Sequence, residues 1–149
     1  MSDVGLRVYN HAVGQFGNKV GDGECWTLAN ASVIAAGGQP PSSNSLYNWG
    51  TAITLGQLSR GDIIQFSSYT VRIEDADGSW QELTRGAPRH TAIVETVRPN
   101  GEVVVLEANV DASQVVRRTT LYFQSGTVGT AEVTVSGSFD FYQVRPANP

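Results

Sequence analysis

The apolar residues of this chain change period once, and that single change limits the fold more than any other feature. Up to residue 36 they recur at spacings of three and four; from residue 63 onward they fall in short runs broken by Asp-Gly and Pro-Asn-Gly turns. Period 3.6 marks helices and short turn-bounded runs mark strands. Helices first and an antiparallel meander afterwards define an α+β fold. With 149 residues the economical arrangement is one domain, 1–149, with enough chain to bury a real core.

Leu6, Tyr9, Val13, Phe16 and Val20 predict an amphipathic helix over 4–20. His11 falls off that stripe and reads as a solvated surface residue. A second helix starts near Cys25 and runs through Leu28, Ala29, Ser32, Val33 and Ala36, apolar on most sides and so centrally buried; Gly37-Gly38 and Pro40-Pro41 stop it. Residues 39–60 read as a loop whose Leu46, Tyr47 and Trp49 cover the core or wall a cleft. Strands are expected at 63–66, 69–74, 80–84, 90–97, 102–110, 115–123, 131–135 and 139–144, with Asp75-Ala76-Asp77-Gly78 closing a hairpin. The expected assembly is a pair of N-terminal helices packed on a C-terminal antiparallel sheet of about six strands.

Composition excludes several functions. No apolar run approaches the roughly 18 residues of a membrane span. A net charge of −4, from one lysine, nine arginines and 14 acids spread along the chain, leaves no basic patch for nucleic acid. Met1-Ser2-Asp3-Val4-Gly5-Leu6-Arg7 lacks the basic start and apolar core of a secretory signal, so synthesis in the cytoplasm is expected, with any export by a non-classical route or by lysis. One cysteine and two histidines permit no internal disulfide and too few soft ligands for a metal centre; no cofactor is expected.

Those few residues sit where chemistry needs them. Cys25 follows Gly21-Asp22-Gly23-Glu24 at the start of a helix, with Asp22 or the turn beside it as cap. Unpaired N–H groups and the positive end of the helix dipole favour thiolate there and can stabilise an oxyanion. His90 opens a strand after a Pro-containing turn. Glu107 and Asn109, two apart on the next expected strand, share a face. If Pro99-Asn100-Gly101 makes these strands neighbours, partner numbers sum to about 199 or 200, which sets residues 107–109 opposite His90. A thiol, an imidazole to take its proton and an acid or amide to orient the ring make an activated nucleophile. Each residue also has an ordinary structural use: a buried small cysteine, a strand-capping histidine, a glutamate paired with an arginine.

The order Cys25, Gly61-Asp62-Ile63-Ile64-Gln65-Phe66, His90-Thr91-Ala92-Ile93-Val94, Glu107-x-Asn109 resembles CHAP domains, the cysteine- and histidine-dependent amidohydrolases/peptidases of the papain-like NlpC-type clan. The resemblance covers residues 20–110 and implies a papain-like fold and amide hydrolysis through an acyl-thioenzyme, most often on bacterial peptidoglycan peptides. It implies Cys25 as nucleophile, His90 as general base and then acid, Glu107 as the group orienting His90, and Asn109 as support for His90 or the oxyanion site. An exported effector of this kind would have an immunity or inhibitor protein as partner. Many relatives carry Gln before the cysteine, where its amide helps hold the oxyanion; this chain has Glu24, which must point away or serve otherwise. Gly23-Glu24-Cys25-Trp26 with Pro-x-His-Thr-Ala-Ile-Val is similar to a branch found also in intracellular eukaryotic proteins, for which a protein substrate is the alternative. A scaffold that binds without turnover is the rival from another class, motivated by Glu24.

Overall fold

The computed structural model describes residues 3–86 and 88–147. Two helices, α1 (Asp3–Gly14) and α2 (Cys25–Ala35), precede eight strands: β1 (Thr51–Ile53), β2 (Ile63–Glu74), β3 (Trp80–Arg85), β4 (His90–Val97), β5 (Glu102–Glu107), β6 (Arg117–Tyr122), β7 (Gly126–Val128) and β8 (Ala131–Gln143). All pair antiparallel in the order β1-β8-β2-β4-β5-β6, with β3 added to β2 and β7 to β8. This is the α+β layout that the change of period predicts.

The strand count differs from the expected six for two physical reasons. Segments 63–66 and 69–74 are one strand, because Ser67 is absorbed as an irregularity between Phe66 and Ser68 rather than forming a turn. Segments 131–135 and 139–144 also join, across Gly137. That glycine, at φ 103°, lies where a Cβ would strike the Ser68 carbonyl, so it marks a close backbone approach and not a break. β1 and β7, three residues each, carry too little pattern to be seen beforehand.

The helices correct the sequence reading in detail. α1 ends at Gly14, not residue 20, and buries Val4, Gly5, Val8 and Ala12, while Leu6 and Phe16 of the expected stripe are exposed. The small face wins because Gly61 meets the Gly5 backbone with no room for a Cβ, which draws that side of α1 inward. His11 is half-buried rather than solvated. α2 buries Leu28, Ala29, Ser32 and Val33 as expected of a central helix. Its N-cap is Glu24, without a side-chain cap; Asp22 instead accepts from the Glu24 N–H at 3.0 Å and so shapes the turn before the helix.

The sheet separates two cores. On one face α1 and α2 pack with Trp49, Ile63, Ile93, Leu106 and Ala108. On the other, Ile64, Phe66, Tyr69, Val94, Val105, Leu121, Phe123 and Phe141 form a second cluster, with ring pairs such as Phe66–Tyr69 at 5.2 Å and Phe123–Phe139 at 5.1 Å. Residues alternate between the two: on β4, Thr91 and Ile93 turn to the helices while Ala92 and Val94 turn to the aromatics. Each fully buried aliphatic side chain contributes about 1.5–3 kcal/mol, so neither face is free to re-register.

Candidate active site

The site lies on the seam between the two cores, with the cysteine from the helix side and its partners from the aromatic side. Cys25 is the first residue of α2, so its N–H and the next two have no intrahelical acceptor; the first helical bond at this end is Leu28 N–H to the Glu24 carbonyl. Gly23 makes the entry possible. It holds φ +82°, and a Cβ there would come within 2.6 Å of Gln114 Cβ.

His90 begins β4 opposite Phe66, against whose ring its imidazole packs at 5.6 Å. Its Nε2 lies 2.8 Å from Glu107 Oε1. That leaves Nδ1 for the sulfur, and the thiol and imidazole are close enough to act on each other's protonation. The β4–β5 register is the one expected: Ile93 faces Leu106 and Val94 faces Val105, and beyond a bulge at Glu95, Thr96 faces Val104.

Glu107 ends β5 fully buried, and it is shared. Arg85, the last residue of β3, donates Nε to Oε1 at 2.9 Å and Nη2 to Oε2 at 2.7 Å, and its Nη1 binds the Thr84 carbonyl at 2.8 Å. The ordinary reading of Glu107 as an arginine partner and its reading as the orienter of His90 therefore both hold at once.

Electrostatics follow from this packing. Burial raises the cost of a Glu107 charge, but hydrogen bonds from His90 and Arg85 outweigh it and hold the carboxyl down at about 2. Burial likewise opposes charge on His90, yet hydrogen bonds with Cys25 and Glu107 bring its pKa up to about 9. Burial also pushes the Cys25 thiol up; the hydrogen bond and charge of His90, with the N–H groups of Thr91 and Trp26, overcome this and leave it below the ordinary thiol value. All three shifts favour a thiolate–imidazolium pair backed by a carboxylate.

Asn109 is placed differently from expectation. β5 stops at Glu107, and Asn109 takes a left-handed φ of 61°, so the two do not share a strand face. Its Nδ2 donates to Glu24 Oε2 at 2.8 Å instead of reaching His90. The two puzzles of the sequence, what Asn109 supports and where Glu24 points, have one answer: each holds the other at the cleft rim. Asp111 and Ala112 follow with φ 51° and 65°, a run of positive φ that turns the chain over the site.

A second network backs the sulfur's surroundings and was not legible beforehand. Thr91 Oγ1 and Trp49 Nε1 both donate to Gln65 Oε1, at 2.7 and 2.9 Å, while Trp49 packs on Trp26 at 5.9 Å. The two residues whose N–H groups face Cys25 are thus pinned from behind. Arg85 was also missed. Its only signal is its place at the end of the 80–84 strand before Gly86, and nothing there ties it to residue 107. The cleft has a volume of about 310 Å³ and is lined by Glu24, Cys25, Arg85, Arg89, His90 and Asn109 among others. Among the described residues no group of three or more His, Cys, Asp or Glu could hold a metal ion.

A helix-borne cysteine meeting a strand-borne histidine across an antiparallel sheet defines a papain-like, cysteine-proteinase-type fold. Residues 1–133 match the family model for the AIM3/BBC1 cysteine proteinase-fold domain, and the chain belongs to that family. The CHAP resemblance is thereby corrected to its coarser content, the papain-like fold. The chain is similar to the "Altered inheritance of mitochondria protein 3" of the yeast Debaryomyces hansenii, 28% identical over a 132-residue alignment that takes in 77% of this chain. The chain spans 14% of the length of that relative. No solved structure matches.

Proposed function

We propose that this domain is a cysteine hydrolase that cleaves an amide bond in a peptide or protein through an acyl-thioenzyme. The observation that carries it is the His90 imidazole, hydrogen-bonded to buried Glu107 on one side and set against Cys25 on the other, where each favours the charged form of its neighbour. In this reading the Cys25 thiolate attacks the carbonyl carbon, and the oxyanion forms beside the N–H groups at the start of α2. The C–N bond breaks as the leaving amine takes the imidazolium proton. Water then attacks the thioester, giving its proton to His90 and releasing the acid and the thiolate. Kinship with a yeast protein supports a protein or peptide substrate over the peptidoglycan peptides implied by CHAP domains.

One observation favours a second reading, a binding domain without turnover. Glu24 presents a carboxylate beside Cys25 where an amide donor would serve an oxyanion, and a carboxylate repels one. The pH dependence of Cys25 alkylation by iodoacetamide separates ordinary from activated thiol. Reaction as thiolate well below pH 7, lost in His90→Ala, is expected; an unperturbed thiol titrates near 8.5. Ordinary titration in both proteins would remove the enzyme reading.

A further inference from the structure

Two arginines border the cleft, and they differ in what their charge does. Arg85 is buried and its charge is consumed by Glu107. Arg89, the residue before His90, is exposed on the cleft wall, and its guanidinium forms no ion pair among the described residues. It does not wander in solvent. Its Cζ stands over the Tyr47 ring, 4.4 Å from the centroid, and the chain just before Tyr47 is tied down by Trp26 Nε1, which donates to the Leu46 carbonyl at 2.8 Å. Stacking uses the face of a guanidinium and leaves its in-plane N–H groups free, which is the geometry that receives a carboxylate. The same cleft is lined by the carboxylates of Glu24, which accepts from Asn109, and of Asp111, which lies 4.0 Å from Arg117.

We infer that Arg89, held by Tyr47, is the specificity-determining residue of this cleft and takes a carboxylate of the substrate close to the bond that Cys25 attacks. This rests on the hydrolase reading for its biological sense, though the binding itself needs only a reactive Cys25. The carboxylate belongs either to an Asp or Glu side chain or to a peptide C-terminus; both offer the same planar pair of oxygens.

The test uses alkylating probes, so that it stands apart from turnover. Iodoacetate and iodoacetamide are nearly isosteric and differ by one charge. The ratio of their rates with Cys25, taken within each variant at one pH on the thiolate plateau, cancels changes in thiol reactivity. The ratio is expected to fall by about two- to fivefold in Arg89→Gln, the scale of an exposed ion pair, and to recover in part in Arg89→Lys. Tyr47→Leu, which removes the platform and keeps the charge, is expected to lower the ratio less than Arg89→Gln does. Iodoacetylated dipeptides then separate the sources. A preference for Asp over Asn that Arg89→Gln abolishes assigns a side-chain carboxylate, and a preference for a free C-terminus over its amide assigns a terminal one. An iodoacetate ratio unchanged in Arg89→Gln overturns the proposal. So does a peptide set with neither preference, even when Cys25 shows the low thiol pKa of the hydrolase reading.

Discussion

The two carboxylates beside Cys25 are held in opposite ways. Glu107 has no exposure, a carboxylate low at about 2, and three hydrogen bonds from His90 and Arg85. Glu24 sits at the rim with one exposed partner, Asn109, on a turn of positive φ. Both are single charges, one behind His90 and one next to Cys25 in the chain. The difference teaches that the charge which sets protonation is built into the fold, whereas the charge facing a substrate is only clipped in place. Removing the first should damage structure and reactivity together; removing the second should change reactivity alone.

Glu107→Ala is expected to show the largest effect. It leaves the Arg85 cation buried without a counter-charge, a loss of about 3–5 kcal/mol, or roughly 10 °C in melting temperature for a chain of this size. Thiolate reactivity of Cys25 should disappear with it. Retention of the wild-type melting temperature would show that water or another residue takes over Arg85, and the contrast between the two carboxylates would fail. Next comes pH. The folded pKa of Glu107 lies below its ordinary 4.5, so its stabilisation is present above that value and is lost as pH falls toward about 2. The acid-unfolding curve of Glu107→Gln should therefore be flatter over this window. His90 sets the other limb: with a pKa raised to about 9, it loses the proton owed to a leaving amine above that pH, so kcat/KM for an amide should fall there.

Smaller effects belong to the rim. Glu24→Gln replaces a repelling carboxylate by a donor, and we expect kcat to rise by about tenfold at an unchanged melting temperature, less than a full oxyanion-hole donor supplies. No change in kcat would place Glu24 outside the oxyanion region. Asn109→Gly keeps the left-handed backbone without strain while releasing Glu24. It should alter kcat by a few-fold and stability by under about 1 kcal/mol, read by steady-state kinetics and thermal melts.

What the sequence disclosed follows the same division. Cys25, His90 and Glu107 were legible because pattern alone places each: a helix start, a strand start, and a position counted forward from a tight turn along the next strand. Even the pairing of β4 with β5 came from that turn. Arg85 was hidden, since only the final fold sets β3 and β4 along the same edge of β2 and so brings the end of β3 beside the end of β5. Asn109 was misplaced because alternation was extended two residues past the true end of β5, where backbone φ changes sign. The inward face of the first helix was read in part: Tyr9, Val13 and Val20 of the expected stripe pack against the core, but Leu6 and Phe16 do not. Apolar bulk suggested Leu6 and Phe16, but close backbone contact selected Gly5 and Ala12. Spacing reports periodicity well, and it is silent about which face comes near enough to need small residues.

The bulge in β4 has a consequence for the linear order of this chain. Glu95 is the residue the ladder skips, its carbonyl taken by Arg60 Nε at 2.7 Å and its carboxylate by Arg118 Nε at 2.6 Å. A chain lacking residue 95 could keep every partner pair from Ile93 to Val97, and with it the place of His90 beside Glu107. The 17 positions that separate those two residues are therefore not a fixed spacing. A text pattern that demanded that number would pass over a sequence one letter shorter that folds to the same constellation.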